Sequence, residues 1–106
     1  TDTPFQIVEQ MPHFPGGTEE MMKFIKKNVK YPQQAAENGV EGRVFLRFVV
    51  LPNGEIGHVE VLRSLDPTCD QEAVRVIKSM PRWIPGKQNG TAVAVFFNLP
   101  ITFRLS

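Results

Sequence analysis

The sequence predicts an α+β fold: a three-stranded antiparallel sheet with two helices packed on one face, in the order helix, strand, strand, helix, strand, with a possible extra strand at the N-terminus. Three observations predict it. Apolar residues recur at helical spacing in residues 18–30 and again in 68–80. Residues 43–51 and 56–63 alternate at the period of a strand on either side of Pro52-Asn53-Gly54-Glu55, and Asn-Gly between apolar runs is a strong hairpin signal. A last apolar run, 91–98, follows the second helix, so the crossover rule returns it beside the first hairpin strand.

Each element has its own warrant. Residues 5–9 lie among Pro4, Pro12 and Pro15, with Phe5 and Ile7 alternating with polar neighbours, and read as a short strand within a linker spanning 1–15. The folded domain is expected to occupy 16–106. Thr18 is the expected cap of the first helix, Glu19 and Glu20 complement its positive end, and Met21, Met22, Phe24, Ile25 and Val29 form its apolar stripe. The helix is expected to stop near Tyr31, because a proline pushes its predecessor out of the helical region. One more turn, 33–37, closes at Asn38-Gly39.

Val44, Leu46, Phe48 and Val50 line one face of the next strand, and Phe45, Val49 and Leu51 the other, interrupted by Arg47. A strand apolar on both faces belongs in the middle of a sheet. Its partner faces Val59 and Val61 inward, with His58 and Glu60 outward. Thr68 to Gln71 has capping-box spacing, and Ala73, Val74, Ile77 and Met80 form the buried stripe of a helix that Pro81 ends. Residues 83–90 read as a loop. The last strand, 91–98, is interrupted by Pro100 and resumes over 101–105; a proline without a donor places it at a sheet edge or makes it bulge there.

Composition narrows the function. The chain has 106 residues, 42% hydrophobic and 22% charged, which suits one domain with a modest core. A net charge of +1 argues against nucleic acid as a partner. There is no apolar run of bilayer-spanning length. Thr1-Asp2-Thr3-Pro4 reads as neither a signal peptide nor a natural start, so the chain is expected to be a piece of a longer protein.

Enzyme chemistry fails on inventory. His13 and His58 have no metal partner at ligand spacing, and no cofactor motif is present. Cys69 stands at a helix start, where a thiol pKa can be lowered. Without a nearby histidine it reads as a small packing residue. Gly16-Gly17 reads as a turn rather than an anion site, and Lys23, Lys26, Lys27 and Lys30 as a solvated helix face. Trp83 and Phe97 are core aromatics before they are recognition aromatics.

One feature resists a purely structural reading. Ala92-Val93-Ala94-Val95-Phe96-Phe97-Asn98 is an expected edge with no charge, whereas natural edges are blunted by lysine, bulges or cover. Either residues 5–9 cover it in cis, or it receives a partner strand; both hold if the cover is displaceable.

Tyr31-Pro32, Glu41-Gly42-Arg43-Val44, Pro52-Asn53-Gly54, Asp70-Gln71-Glu72-Ala73, Trp83-Ile84-Pro85-Gly86-Lys87 and Leu99-Pro100-Ile101-Thr102-Phe103, in their order and spacing, resemble the C-terminal domain of TonB energy transducers. With Phe14-Pro15-Gly16-Gly17 in front, the sequence looks like the form found in Bacteroidetes-type bacteria. The resemblance covers nearly the whole chain from Phe14. It implies a periplasmic domain, anchored in the inner membrane by a helix outside this fragment, that grips the TonB box of outer-membrane transporters. It further implies that ExbB and ExbD act through the region missing at the N-terminus, and that the proton gradient drives the pull. The box-binding strand of the family maps onto Ala92, Val93, Ala94, Val95, Phe96, Phe97 and Asn98, and a second receptor-facing segment onto Asn28, Lys30 and Tyr31. Family members often carry glutamine and proline before the Tyr-Pro pair; Asn28-Val29-Lys30 departs from that. A homodimer through the uncharged edge is a further expectation. The alternative role is a sensor domain at the end of a membrane-embedded antirepressor-type peptidase.

Overall fold

A computed structural model describes residues 3–105. Three helices, α1 (Thr18–Asn28), α2 (Gln33–Glu37) and α3 (Pro67–Lys78), accompany five strands, β1 (Gly42–Val50), β2 (Ile56–Arg63), β3 (Gly86–Gln88), β4 (Thr91–Val93) and β5 (Val95–Phe103). The main sheet has three antiparallel strands in the order β2-β1-β5, and β3-β4 forms a separate two-stranded ribbon. The expected architecture is present, with β1 central and β5 at the edge.

β1 is central because its even-numbered side chains form the core. Val44, Leu46, Phe48 and Val50 are fully buried and join Leu99, Ile101 and Phe103 from β5, Met21 and Ile25 from α1, and Cys69, Ala73, Val76 and Ile77 from α3. All these side chains share the inner face of the sheet. The outer face of β1 is half-covered: Phe45 and Arg47 are partly exposed, and Val49 is buried. Trp83 sits over the aromatic end of the core, edge-on to Phe14 (5.9 Å), Phe48 (5.4 Å) and Phe97 (4.8 Å). Such T-shaped pairs add attraction beyond the area they bury.

Several expected boundaries move. Thr18 is the first helical residue, not the cap; Gly17 precedes it and offers no side chain. α1 ends at Asn28, whose Nδ2 donates to the Phe24 carbonyl (2.8 Å), and the chain is extended from Val29 onward. α3 starts at Pro67 with Asp66 as its cap, accepting from the Thr68 and Cys69 amides (2.9 and 3.2 Å). Pro67 fits the first helical position, where its missing donor has no partner to lose. Val76, absent from the expected stripe, is buried, while Val74 is only half-buried.

The loop expected at 83–90 contains a hairpin. Gly86↔Val93, Lys87↔Ala92 and Gln88↔Thr91 pair around Asn89-Gly90, both with positive φ (54° and 78°), as a two-residue hairpin turn demands. The chain then leaves this ribbon at Ala94. Residues 91–98 are therefore not one strand. Nor does Pro100 interrupt: β5 runs unbroken from Val95 to Phe103.

The N-terminal segment is attached to the sheet. Phe5 bridges Val95 in parallel, Gln10 bridges Lys87, and His13 bridges Ile84. Val8, Pro12 and Phe14 are buried, and Phe14 packs 5.7 Å from Phe24.

The β1–β2 turn explains one glycine. Gly54 has φ 86°, and a Cβ there would come within 2.2 Å of the Trp83 carbonyl oxygen. The close approach lets the Trp83 amide donate to the Gly54 carbonyl (2.8 Å), tying the turn to the tryptophan. Gly54→Ala is expected to cost about 3 kcal/mol in urea unfolding. Gly90→Ala, where a Cβ meets nothing within 4 Å, pays only the backbone strain of about 1 kcal/mol.

Candidate docking edge

β5 has two sides. One is saturated by β1, in register without a break from Val50↔Val95 to Gly42↔Phe103. The other faces away, and its orientation is fixed by one contact: the Phe96 amide donates to the Phe5 carbonyl (2.9 Å), on the side opposite β1. Residues of a strand alternate in direction. Asn98, Pro100 and Thr102 therefore turn their backbone groups to the same open side as Phe96, while Val95, Phe97, Leu99, Ile101 and Phe103 turn theirs to β1. Pro100 costs the ladder nothing, because its donorless nitrogen points outward. Asn98, Pro100 and Thr102 are all exposed.

The residues expected at the site divide accordingly. Ala92 and Val93 lie in β4 and pair with β3. The Ala94 carbonyl already accepts from the Phe5 amide (2.9 Å). Val95 is fully buried, and Phe97 points inward against Phe48 and Trp83. Phe96 lies on the outer face under the Arg47 guanidinium, 4.3 Å from its ring centre, with Arg47 Nε donating to Glu60 (2.7 Å). The open groups are the Phe96 carbonyl and the backbone of Asn98, Pro100 and Thr102. Pro100 and Thr102 were not among the expected site residues. The signal for them was present: a proline admitted to an edge strand marks the parity that faces outward.

The second expected cluster stands at the far end of the same strand. Tyr31 packs edge-on against Phe103, the last residue of β5 (5.6 Å), and its hydroxyl donates to the Val40 carbonyl. Burial and the neighbouring Cys69 and Glu41 push the Tyr31 phenol above its ordinary pKa, keeping it neutral. The Lys30 amide donates to Glu72 (2.6 Å), and Arg75 bridges Glu72 (2.7 Å) to the Asn28 carbonyl (2.9 Å). Asn28 and Lys30 are thus tied to α3, and Tyr31 follows them in the chain. The Arg75 hydrogen bond, helped by the Lys30 amide, holds the Glu72 carboxyl below the usual range.

Cys69 is the small packing residue expected. The lowered pKa that a helix start allows does not arise, because burial and the adjacent Asp66 and Asp70 carboxylates push it up to about 11. The thiol is fully buried in the core and protonated at neutral pH. Among the described residues, no group of three His, Cys, Asp or Glu side chains is placed to hold a metal ion, and no helix is long and apolar enough to cross a membrane.

Two measurements test these assignments. Cys69 is expected to resist an aromatic disulfide reagent at pH 8 in the native protein and to react rapidly in denaturant; fast native reaction would contradict its placement. Because the folded pKa of Glu72 lies below its unfolded value, its contribution is present above about pH 4.3 and is lost as pH falls through the lower folded value. Glu72→Gln is therefore expected to flatten the acid limb of a stability–pH curve measured by urea titration.

Comparison with known proteins follows the same lines. The family model described as Gram-negative bacterial TonB protein C-terminal matches residues 27–105. The chain is 35% identical over 80 residues to protein tonB2 of Pseudomonas aeruginosa, an alignment covering 73% of this chain but 28% of that protein. Its fold is similar to the NMR structure of the Helicobacter pylori TonB C-terminal domain, residues 179–285, with TM-score 0.64, 23% identity and 87% of each chain covered. It is also similar to that of the Pseudomonas aeruginosa TonB C-terminal domain, with TM-score 0.59, 28% identity, 72% of this chain and 77% of the other.

Proposed function

The chain belongs to the TonB C-terminal family of Gram-negative bacteria, and on that basis we propose that it is the periplasmic docking domain of an energy transducer, taking the TonB box of outer-membrane transporters as an added strand on β5. The observation that carries this reading is the open side of β5. From Val95 to Phe103 that strand has no charged residue, and the Phe96 carbonyl and the backbone of Asn98, Pro100 and Thr102 face outward. An edge without charge, guarded only by Pro100 and by Phe5 at one end, is a liability unless a partner uses it.

A visiting strand gains about 1 kcal/mol net from each backbone bond. After the cost of ordering a flexible peptide, such a complex is roughly micromolar or weaker. That suits a partner that must be released after each cycle. Tyr31, at the Phe103 end, and Asn28 and Lys30 beside it are proposed as the second contact with the transporter. The chain spans less than a third of the length of its Pseudomonas relative. The inner-membrane anchor, the contacts with ExbB and ExbD, and the coupling to the proton gradient are accordingly proposed for regions outside this chain. A second copy can compete for the same edge by the same chemistry, which makes a homodimer an alternative occupant.

Proline replacement separates docking from folding. At Val95 or Phe97 it removes an amide that faces β1 and weakens the sheet itself. At Asn98 it removes an amide that faces outward. Asn98→Pro is expected to weaken binding of a synthetic TonB box peptide, from a transporter of the same bacterium, by about tenfold or more. Its melting temperature should stay within a few degrees of the parent. Calorimetry showing undiminished affinity would contradict docking on this edge.

A further inference from the structure

We propose that residues 3–7 form a displaceable cover that competes with the partner strand for the N-terminal end of β5; the inference rests on the docking reading above. The cover occupies two groups of the outward-facing edge: the Phe5 amide donates to the Ala94 carbonyl, and the Phe96 amide donates to the Phe5 carbonyl, each at 2.9 Å. These are the backbone bonds that a visiting strand would make if it ran past the Phe96 carbonyl. The Phe5 side chain is 41% exposed and, with Pro52, Ala92, Val93 and Ala94, lines a shallow depression beside the edge. Removing Phe5 frees both backbone groups and leaves an apolar recess for a side chain of the incoming strand.

The attachment of this segment is uneven. Beyond Phe5, Gln6 is exposed and Ile7 is 81% exposed. Firm anchoring begins only at Val8, which is buried. Then Glu9 engages the β3–β4 turn, its amide donating to Gln88 (2.9 Å) and its carboxylate accepting from the Asn89 amide (2.6 Å). Gln10 exchanges two bonds with Lys87 (3.1 and 2.8 Å), His13 exchanges two with Ile84 (3.1 and 2.9 Å), and Pro12 is buried between them. Residues 3–7 can therefore peel away while the chain from Val8 onward stays in place. The parallel pairing at Phe5 makes it a stand-in for the partner, and its contact through a single residue makes it a weak one. The partner class follows: an extended segment long enough to reach Ala94, with an apolar side chain where Phe5 now sits.

The test compares the unaltered chain, Phe5→Pro, and a variant lacking residues 1–7 that retains Val8 and every anchor after it. Phe5→Pro deletes the donor to Ala94, and the truncation deletes the whole cover. Each is titrated with the TonB box peptide and with the same peptide extended by several residues at both ends, after thermal melts establish that both variants are folded. The extended peptide is expected to bind both variants about tenfold tighter than the unaltered chain, the return on two freed backbone bonds. The short peptide is expected to bind all three alike. Equal affinity of the extended peptide for all three, or tighter binding to the unaltered chain, overturns the cover. So does a gain shared by the short peptide, which would point to a change in the fold. If neither peptide binds any of the three, the docking reading fails and this inference falls with it.

Discussion

The pairing of β5 with β1 is the constraint on which everything else in this domain depends. It runs in register from Val50↔Val95 to Gly42↔Phe103 and consumes the backbone of every second residue of β5. Because a strand alternates, the other residues are left facing away, and no later element returns to cover them all. The edge is thus a by-product of the topology: β1 must be central to place Val44, Leu46, Phe48 and Val50 in the core, β2 takes one side of it, and β5 takes the other. Pro100 survives in the middle of β5 only because its nitrogen falls on the open side.

The rest of the molecule holds that strand at both ends. At the start, Val95 is buried and Phe97 packs against Trp83, whose amide is tied to the β1–β2 turn through Gly54. At the finish, Phe103 meets Tyr31, and the segment carrying Tyr31 is held to α3 by the Lys30–Glu72 and Arg75–Asn28 bonds. The proposed contacts therefore lie along β5 and at the clamp on its Phe103 end. The lone thiol, Cys69, is buried in the core and its pKa is raised to about 11.

Much of this architecture was legible in the residues, and the failures have physical causes. Helical periodicity located α1 and α3, and alternation located β1 and β2, because long periodic segments speak for themselves. The ends of the helices did not. Thr18 and Thr68 look like caps, but Gly17, which has no side chain, and Asp66, through its carboxylate, take that role one and two residues earlier. The β3–β4 ribbon was missed even though Asn89-Gly90 carries the same signal that located the first hairpin; its strands are too short to show alternation. Residues 91–98 seemed one apolar run, and only tertiary pairing reveals that Ala94 divides two sheets. The edge itself could be inferred from Pro100. Pro100 also marks which parity faces outward, but that Phe5 already holds two of the outward groups required the register.

The most direct test is residue-resolved amide exchange on β5, with and without a bound TonB box peptide. Phe97, Leu99 and Ile101 are expected to be protected in both states. Asn98 and Thr102 should exchange quickly in the free protein and slowly in the complex. If Asn98 and Thr102 are already protected in the free protein, or remain unprotected when the peptide is bound, the open side of β5 is not where the partner docks.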